Sequence, residues 1–217
     1  YLRIMFKFTS SEVRDLIIAF IVISLCFGIA TTRKDVQAIL FILPIVMVGV
    51  GTGFILHELG HKFVSMKYGY WAEFKLWPQG LLVALVTSFL GFVFAAPGAV
   101  YTYANYMTDE INGKISIAGP IVNIVLAIIF ILIAALIYPI ASYSESNTLI
   151  YLVCCVGYSI NSYLAAFNLL PIATLDGSKV LKWNVGIWLI AFAIAGMLTL
   201  MSMTLGAENI VKLLLGY

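Results

Sequence analysis

Charge is what this sequence lacks. Twelve basic and ten acidic residues make up 10% of its 217 positions, while 63% are hydrophobic and the mean hydropathy is +1.06. A soluble domain carries about 25% charged residues, and so few charges cannot cover a water-facing surface. A net charge of +2 leaves no basic stripe to neutralise phosphates, which excludes nucleic acid as a partner. Three cysteines, an odd and small number, exclude an extracellular disulfide scaffold. Cys26, Cys154 and Cys155 lie inside apolar runs, where a buried thiol ordinarily acts as a small hydrophobe. Period-2 alternation is also missing from the long runs, which argues against a β-barrel. What remains is an all-α, multi-pass integral membrane protein in contact with the lipid bilayer.

The few charges divide the chain into windows. Stretches free of Asp, Glu, Lys, Arg and His run for 17 residues after Asp15, 21 after Asp35, 33 after Lys75, 30 after Lys114, 30 after Glu145 and 25 after Lys182. A membrane-spanning helix needs about 20 apolar residues with every backbone group bonded internally. The windows therefore predict about six transmembrane helices, near 16–31, 36–68, 81–100, 115–138, 148–170 and 185–205. Residues 70–86 are different. Trp71–Leu76 alternates at Glu73 and Lys75, Pro78-Gln79-Gly80 signals a turn, and Leu82–Val86 has β-branched content, which together predict a small membrane-associated β-hairpin. No stretch accommodates a separate soluble unit, so residues 1–217 read as one domain. Residues 16–30 lack a cleavage consensus and do not read as a removed signal. A start at Tyr1 rather than Met points to a fragment. With six crossings, Arg3, Lys7, Arg14, Lys62, Lys67, Lys75 and Lys212 fall on one side. Arg33, Lys34, Lys114, Lys179 and Lys182 fall on the other, which places both termini in the cytoplasm of a cell-membrane protein.

The chemistry concentrates at the two histidines the chain possesses. His57-Glu58-Leu59-Gly60-His61 is an HExxH motif within the second predicted helix. Residues four apart share a helix face, so both imidazoles can reach one metal ion, and Glu58 beside them can act as general base. With so few histidines the spacing arises by chance at a frequency on the order of 5 in 10,000. A charged residue at membrane depth costs roughly 2.5–3.5 kcal/mol on insertion scales, and such residues are ordinarily functional. If the helix ends near Tyr68, His57 lies ~16 Å from that end, about half of a hydrocarbon core. Gly49, Gly51 and Gly53 just before the motif read as close helix packing or as flexibility beside a site. A catalytic zinc takes three protein ligands and keeps one open position. Asp176 is the remaining candidate for the third ligand. It follows Pro171 and precedes Gly177, and its plainer reading is a helix N-cap.

Two motifs thus stand together: HExxH at 57–61, and Asn168-Leu169-Leu170-Pro171-Ile172-Ala173-Thr174-Leu175-Asp176-Gly177, an NxxPxxxLDG pattern. Gly119-Pro120-Ile121-Val122-Asn123 adds a GPxxN element between them. The chain resembles the site-2 protease family of intramembrane zinc metalloproteases over about residues 36–182. The resemblance implies one zinc per chain bound by His57, His61 and Asp176, with Glu58 as the catalytic base. It also implies that Asn123 helps bind substrate or the oxyanion, and that the hairpin at 70–86 receives substrate as an added strand. The implied substrates are transmembrane proteins or peptides. Neither a PDZ nor a CBS region is present, which suggests a compact prokaryotic type of archaeal character, and the end at Tyr217 suggests a truncated catalytic core. The alternative is a ZIP-like metal transporter using the HExxH helix as a metal site. The further intramembrane His and Asp residues and the His-rich loop of such carriers are absent. Oligomeric state is left open.

Overall fold

A computed structural model describes residues 7–32, 35–172 and 174–216. Arg3, Arg33, Lys34, Ala173 and both chain ends, which entered the reading above, lie outside the described residues. The protein is helical apart from one two-stranded sheet. In chain order the elements are α1 (Ser10–Thr32), α2 (Val36–Val50), α3 (Leu56–Lys67), β1 (Trp71–Leu76), α4 (Pro78–Ser88), β2 (Gly98–Tyr103), α5 (Asp109–Ile137), α6 (Glu145–Asn168), α7 (Asp176–Trp183), α8 (Val185–Thr204) and α9 (Gly206–Leu215). A π-helical turn at Gly51–Ile55 joins α2 to α3, making one continuous helix over Val36–Lys67.

Among the described residues, five helices are long and apolar enough to cross a membrane: Ser10–Thr32, Val36–Lys67, Asp109–Tyr143, Glu145–Asn168 and Val185–Thr204. Their outward faces carry exposed Leu40, Phe41, Leu136, Ile190 and Met203, an apolar surface that suits lipid. This is a membrane protein. The count is five rather than six because the window after Lys75 does not run straight. Pro78 starts an 11-residue helix, about half of what a crossing requires. Gly91 then reverses the chain with φ +91°, and Pro97 precedes β2. Gly80 makes the return possible, because a Cβ there would sit 2.1 Å from the Ala96 carbonyl oxygen. With five crossing helices, the parity argument that put both termini on one side loses its premise.

The sheet differs from the expected hairpin for the same reason. Leu82–Val86 is helical, and the partner of β1 comes after the reversal, in antiparallel register with Trp71 opposite Tyr103 and Leu76 opposite Gly98. Tyr101, Thr102 and Tyr103, which lie between the third and fourth predicted helices, thus belong to β2.

Helix α5 is the centre of the molecule and packs against α6, α3 and α7. Where α2 crosses α6, backbones meet through small residues, as expected where no hydrophobic force drives helices together in lipid. A Cβ on Gly49 would lie 2.9 Å from Ile160 and 3.4 Å from the Gly157 Cα, and one on Gly53 would lie 3.1 Å from Asn161 Oδ1. These glycines therefore serve packing, and the π turn that contains Gly53 serves position. Its extra residue per turn shifts the face that α3 presents onward from α2. Gly49→Leu is expected to overpack this crossing by about 1–3 kcal/mol and to lower the midpoint of thermal unfolding in detergent. An unchanged midpoint would count against the contact.

Candidate metal centre

The i, i+4 spacing on α3 sets His57 and His61 side by side, with imidazole centroids 4.6 Å apart and both rings buried. Each ring is held from behind. His61 Nδ1 lies 2.8 Å from the Ile115 carbonyl oxygen, which can only accept, so Nδ1 carries the proton. His57 Nδ1 lies 2.6 Å from Asn123 Oδ1. The orientation of Asn123 is itself fixed, because its Nδ2 donates to the Gly53 carbonyl at 2.8 Å and to Asn161 Oδ1 at 3.0 Å. Asn161 in turn donates to the Gly157 carbonyl. His57 must therefore also carry its proton on Nδ1, which leaves both Nε2 lone pairs facing forward.

Asp176 meets them from the other half of the chain. After α6 ends at Asn168, Pro171 prevents its continuation and the chain folds back. Gly177 is packed so closely that a Cβ would lie 2.1 Å from the Leu169 carbonyl oxygen. Leu175 takes the N-cap position, and Asp176 is the first residue of α7. Its side chain does not cap that helix. Oδ2 lies 3.0 Å from His61 Nε2 and 3.4 Å from His57 Nε2, and Oδ1 lies 3.6 Å from Lys179 Nζ.

Three lone-pair atoms thus converge, with the two Nε2 atoms 3.0 Å apart. Without a cation between them such a group repels itself. Around a tetrahedral zinc with ~2.0–2.1 Å bonds, ligand atoms stand ~3.3 Å apart, close to the separations here. Among the described residues this is the one His/Cys/Asp/Glu group so arranged. The opposing wall is bare by construction. A Cβ on Gly119 of α5 would lie 2.5 Å from His61 Nε2 and 2.6 Å from His57 Nε2, in the space an ion needs. The residues present fit a metal.

Glu58 projects from the same turn of α3 and is buried, yet its Oε2 has no hydrogen-bond partner. It opens onto a cavity of about 510 Å³ that also admits His57, His61, Asp176, Lys179 and Asn168. The strand β2 forms one wall. Its sheet has one closed edge and one open edge. The Phe74 and Leu76 N–H groups donate to Glu12 Oε1 and Asp15 Oδ2 of α1, at 3.1 and 3.2 Å. Alternate strand residues point their backbone groups to the same side, so Glu73 and Lys75 bond β2 through Tyr101 and Ala99. Gly98, Val100 and Thr102 turn theirs to the free edge, and all three line the cavity. The Val100 N–H is directed at the Glu58 carboxylate.

The chain is 41% identical over 186 residues to a Methanocaldococcus jannaschii protein named "Putative zinc metalloprotease MJ0611", matching 85% of this chain and 91% of that one. The chain belongs to this zinc metalloprotease family. Zinc is accordingly the cofactor of this metallopeptidase, and His57, His61 and Asp176 are the group that could hold it. The "Putative zinc metalloprotease YwhC" of Bacillus subtilis is 28% identical over 66% of this chain and 70% of its own length. The "Zinc metalloprotease MJ0392" of M. jannaschii is 27% identical over 67% of this chain, which spans 34% of that longer protein. Comparison with family models finds no match, and no solved structure matches the chain.

All five candidate residues of this zinc metalloprotease are thus gathered at one place. Asn123 stands behind His57, with both its N–H bonds committed, rather than among the residues lining the cavity. Asn161, Lys179 and the Gly119 wall escaped the sequence reading. An isolated asparagine within the apolar run of α6 was the available signal for Asn161. Gly119→Ala is expected to drop zinc in the purified protein below half a equivalent by elemental analysis, with helical circular dichroism unchanged. Asn123→Leu is expected to weaken zinc affinity about 10–100-fold in chelator competition. Full zinc in the first or unaltered affinity in the second would refute this placement of the ion or of its support.

Proposed function

We propose that this metallopeptidase is an intramembrane protease of the site-2 type, hydrolysing peptide bonds within or near transmembrane segments of other membrane proteins. One observation carries the reading: a buried carboxylate with a free oxygen, Glu58, sits on a helix of membrane-spanning length and faces both the His57–His61–Asp176 group and an open strand edge.

His57, His61 and Asp176 would hold the zinc. Zinc bound there supplies Lewis acidity and brings the pKa of a coordinated water to about 7. Glu58 accepts a proton from the attacking water as the new C–O bond forms. It then delivers that proton to the departing amine as the C–N bond breaks. Asn123 acts through His57, keeping its Nε2 directed forward. A helical substrate hides its peptide bonds in its own hydrogen bonds and must unwind before attack. Freed backbone groups are costly in an apolar setting, and pairing with Gly98, Val100 and Thr102 would satisfy them while laying the extended segment past Glu58.

The test is cleavage of a transmembrane reporter by the purified protein in detergent. The wild type is expected to cut, and a chelator to abolish cutting reversibly on zinc readdition. Glu58→Gln should reduce turnover at least 1,000-fold while retaining zinc. Cleavage of a soluble unfolded peptide but of no membrane segment would overturn the intramembrane reading. Zinc flux into liposomes without proteolysis would replace it with transport.

A further inference from the structure

The stripe on α3 that carries Glu58 continues with Lys62 and Ser65, at the i, i+4 and i+7 positions of one helix face. All three engage the sheet or what holds it. Glu58 faces the Val100 N–H, and Ser65 Oγ lies 2.8 Å from Thr102 Oγ1. Between them Lys62 donates to Glu12 Oε2 of α1. Both side chains of this ion pair are 1% exposed. The second oxygen of Glu12 accepts the Phe74 N–H of β1, and the Lys62 ammonium also lies over the Phe8 and Trp71 rings. Further bonds tie the same two elements: Thr9 and Ser11 donate to Glu73, and the Leu76 N–H donates to Asp15.

A buried ion pair is a poor choice for stability alone, since apolar residues of the same volume often serve as well or better. It is a good choice for register. A carboxylate that must satisfy a lysine with one oxygen and a strand N–H with the other admits one relative position of three elements. Glu12 therefore fixes where the sheet sits along α3. It also occupies the edge of β1 that an extended chain would otherwise pair with, leaving the Val100 edge as the one facing the base.

We propose that Glu12 and Lys62 are positioning residues for proteolysis. Their ion pair sets the offset between the free edge of β2 and Glu58, and hence which peptide bond of a strand-paired substrate is cut. The inference rests on the proposed reading of the cavity as a protease site. It differs from that reading in locating bond selection outside the cavity, since neither side chain lines it.

Removing one partner would leave a buried charge alone and could unfold the protein. The informative variant is therefore the neutral pair Glu12→Gln with Lys62→Gln, which keeps an acceptor for Phe74 and a hydrogen bond between the two side chains. Cleavage of the transmembrane reporter is measured by product mass spectrometry, with zinc content alongside. The double variant is expected to retain zinc, to raise KM about 10-fold with kcat within about 3-fold, and to spread cleavage over neighbouring bonds. Conservative Lys62→Arg, which keeps the charge pair, is expected to restore a single site. A single wild-type site with unchanged KM would overturn the proposal. So would loss of zinc together with cleavage, because that is the outcome of a purely structural role. If the wild type itself shows no Glu58-dependent cleavage, the protease reading fails instead.

Discussion

An ionisable side chain in an apolar interior must find a partner or lose its charge, because leaving it alone costs several kcal/mol. This constraint organises the molecule. Its buried charged and amide side chains form two linked systems. One runs from Gly157 through Asn161 and Asn123 to His57, with the Ile115 carbonyl holding His61. The other runs from Lys62 through Glu12 to the backbone of β1. In the first, the open point is the space between Nε2, Nε2 and Oδ2, where a cation belongs. The free oxygen of Glu58 lies beside it. Among the described residues, Glu58 Oε2 is a buried side-chain oxygen without a hydrogen-bond partner, and it opens onto the cavity beside the three ligand atoms.

Packing provides the room. Helices without a hydrophobic force between them approach through glycine, and here glycine does so twice over. Gly49 and Gly53 bring α2 and its π turn onto α6, so that Asn161 can reach Asn123. Gly119 holds α5 close to both imidazoles while keeping side-chain atoms out of the ion's place. The proline and glycine of the second motif do the complementary work, ending α6 and folding the chain back until Asp176 faces α3.

Much of this was legible in the residues, for identifiable reasons. Long charge-free windows mark crossing helices because lipid tolerates nothing else, and α1, α2–α3, α5, α6 and α8 follow their windows closely. An HExxH spacing constrains geometry within a single turn, so the pairing of His57 with His61 needed no tertiary information. The third window misled because hydropathy registers apolar character and not direction. Pro78, Gly80 and Gly91 turn that stretch back on itself, and only the close approach to Ala96 shows why. The β1–β2 pairing was missed because the valines of Leu82–Val86 suggested a strand, whereas that run belongs to a helix begun by Pro78, a proline suited to a helix N-terminus. The links of Asn123 to Asn161 and of Lys62 to Glu12 join residues 38 and 50 positions apart, which periodicity does not encode.

The central claim is that a zinc ion is held within this helical bundle by two imidazoles from α3 and one carboxylate from the start of α7. X-ray absorption at the zinc edge of the detergent-purified protein addresses it directly. The account predicts a first shell of about four nitrogen and oxygen atoms at ~2.0–2.1 Å, with the outer-shell scattering of two imidazole rings. A sulfur shell at ~2.3 Å, or the signature of a single imidazole, would contradict it.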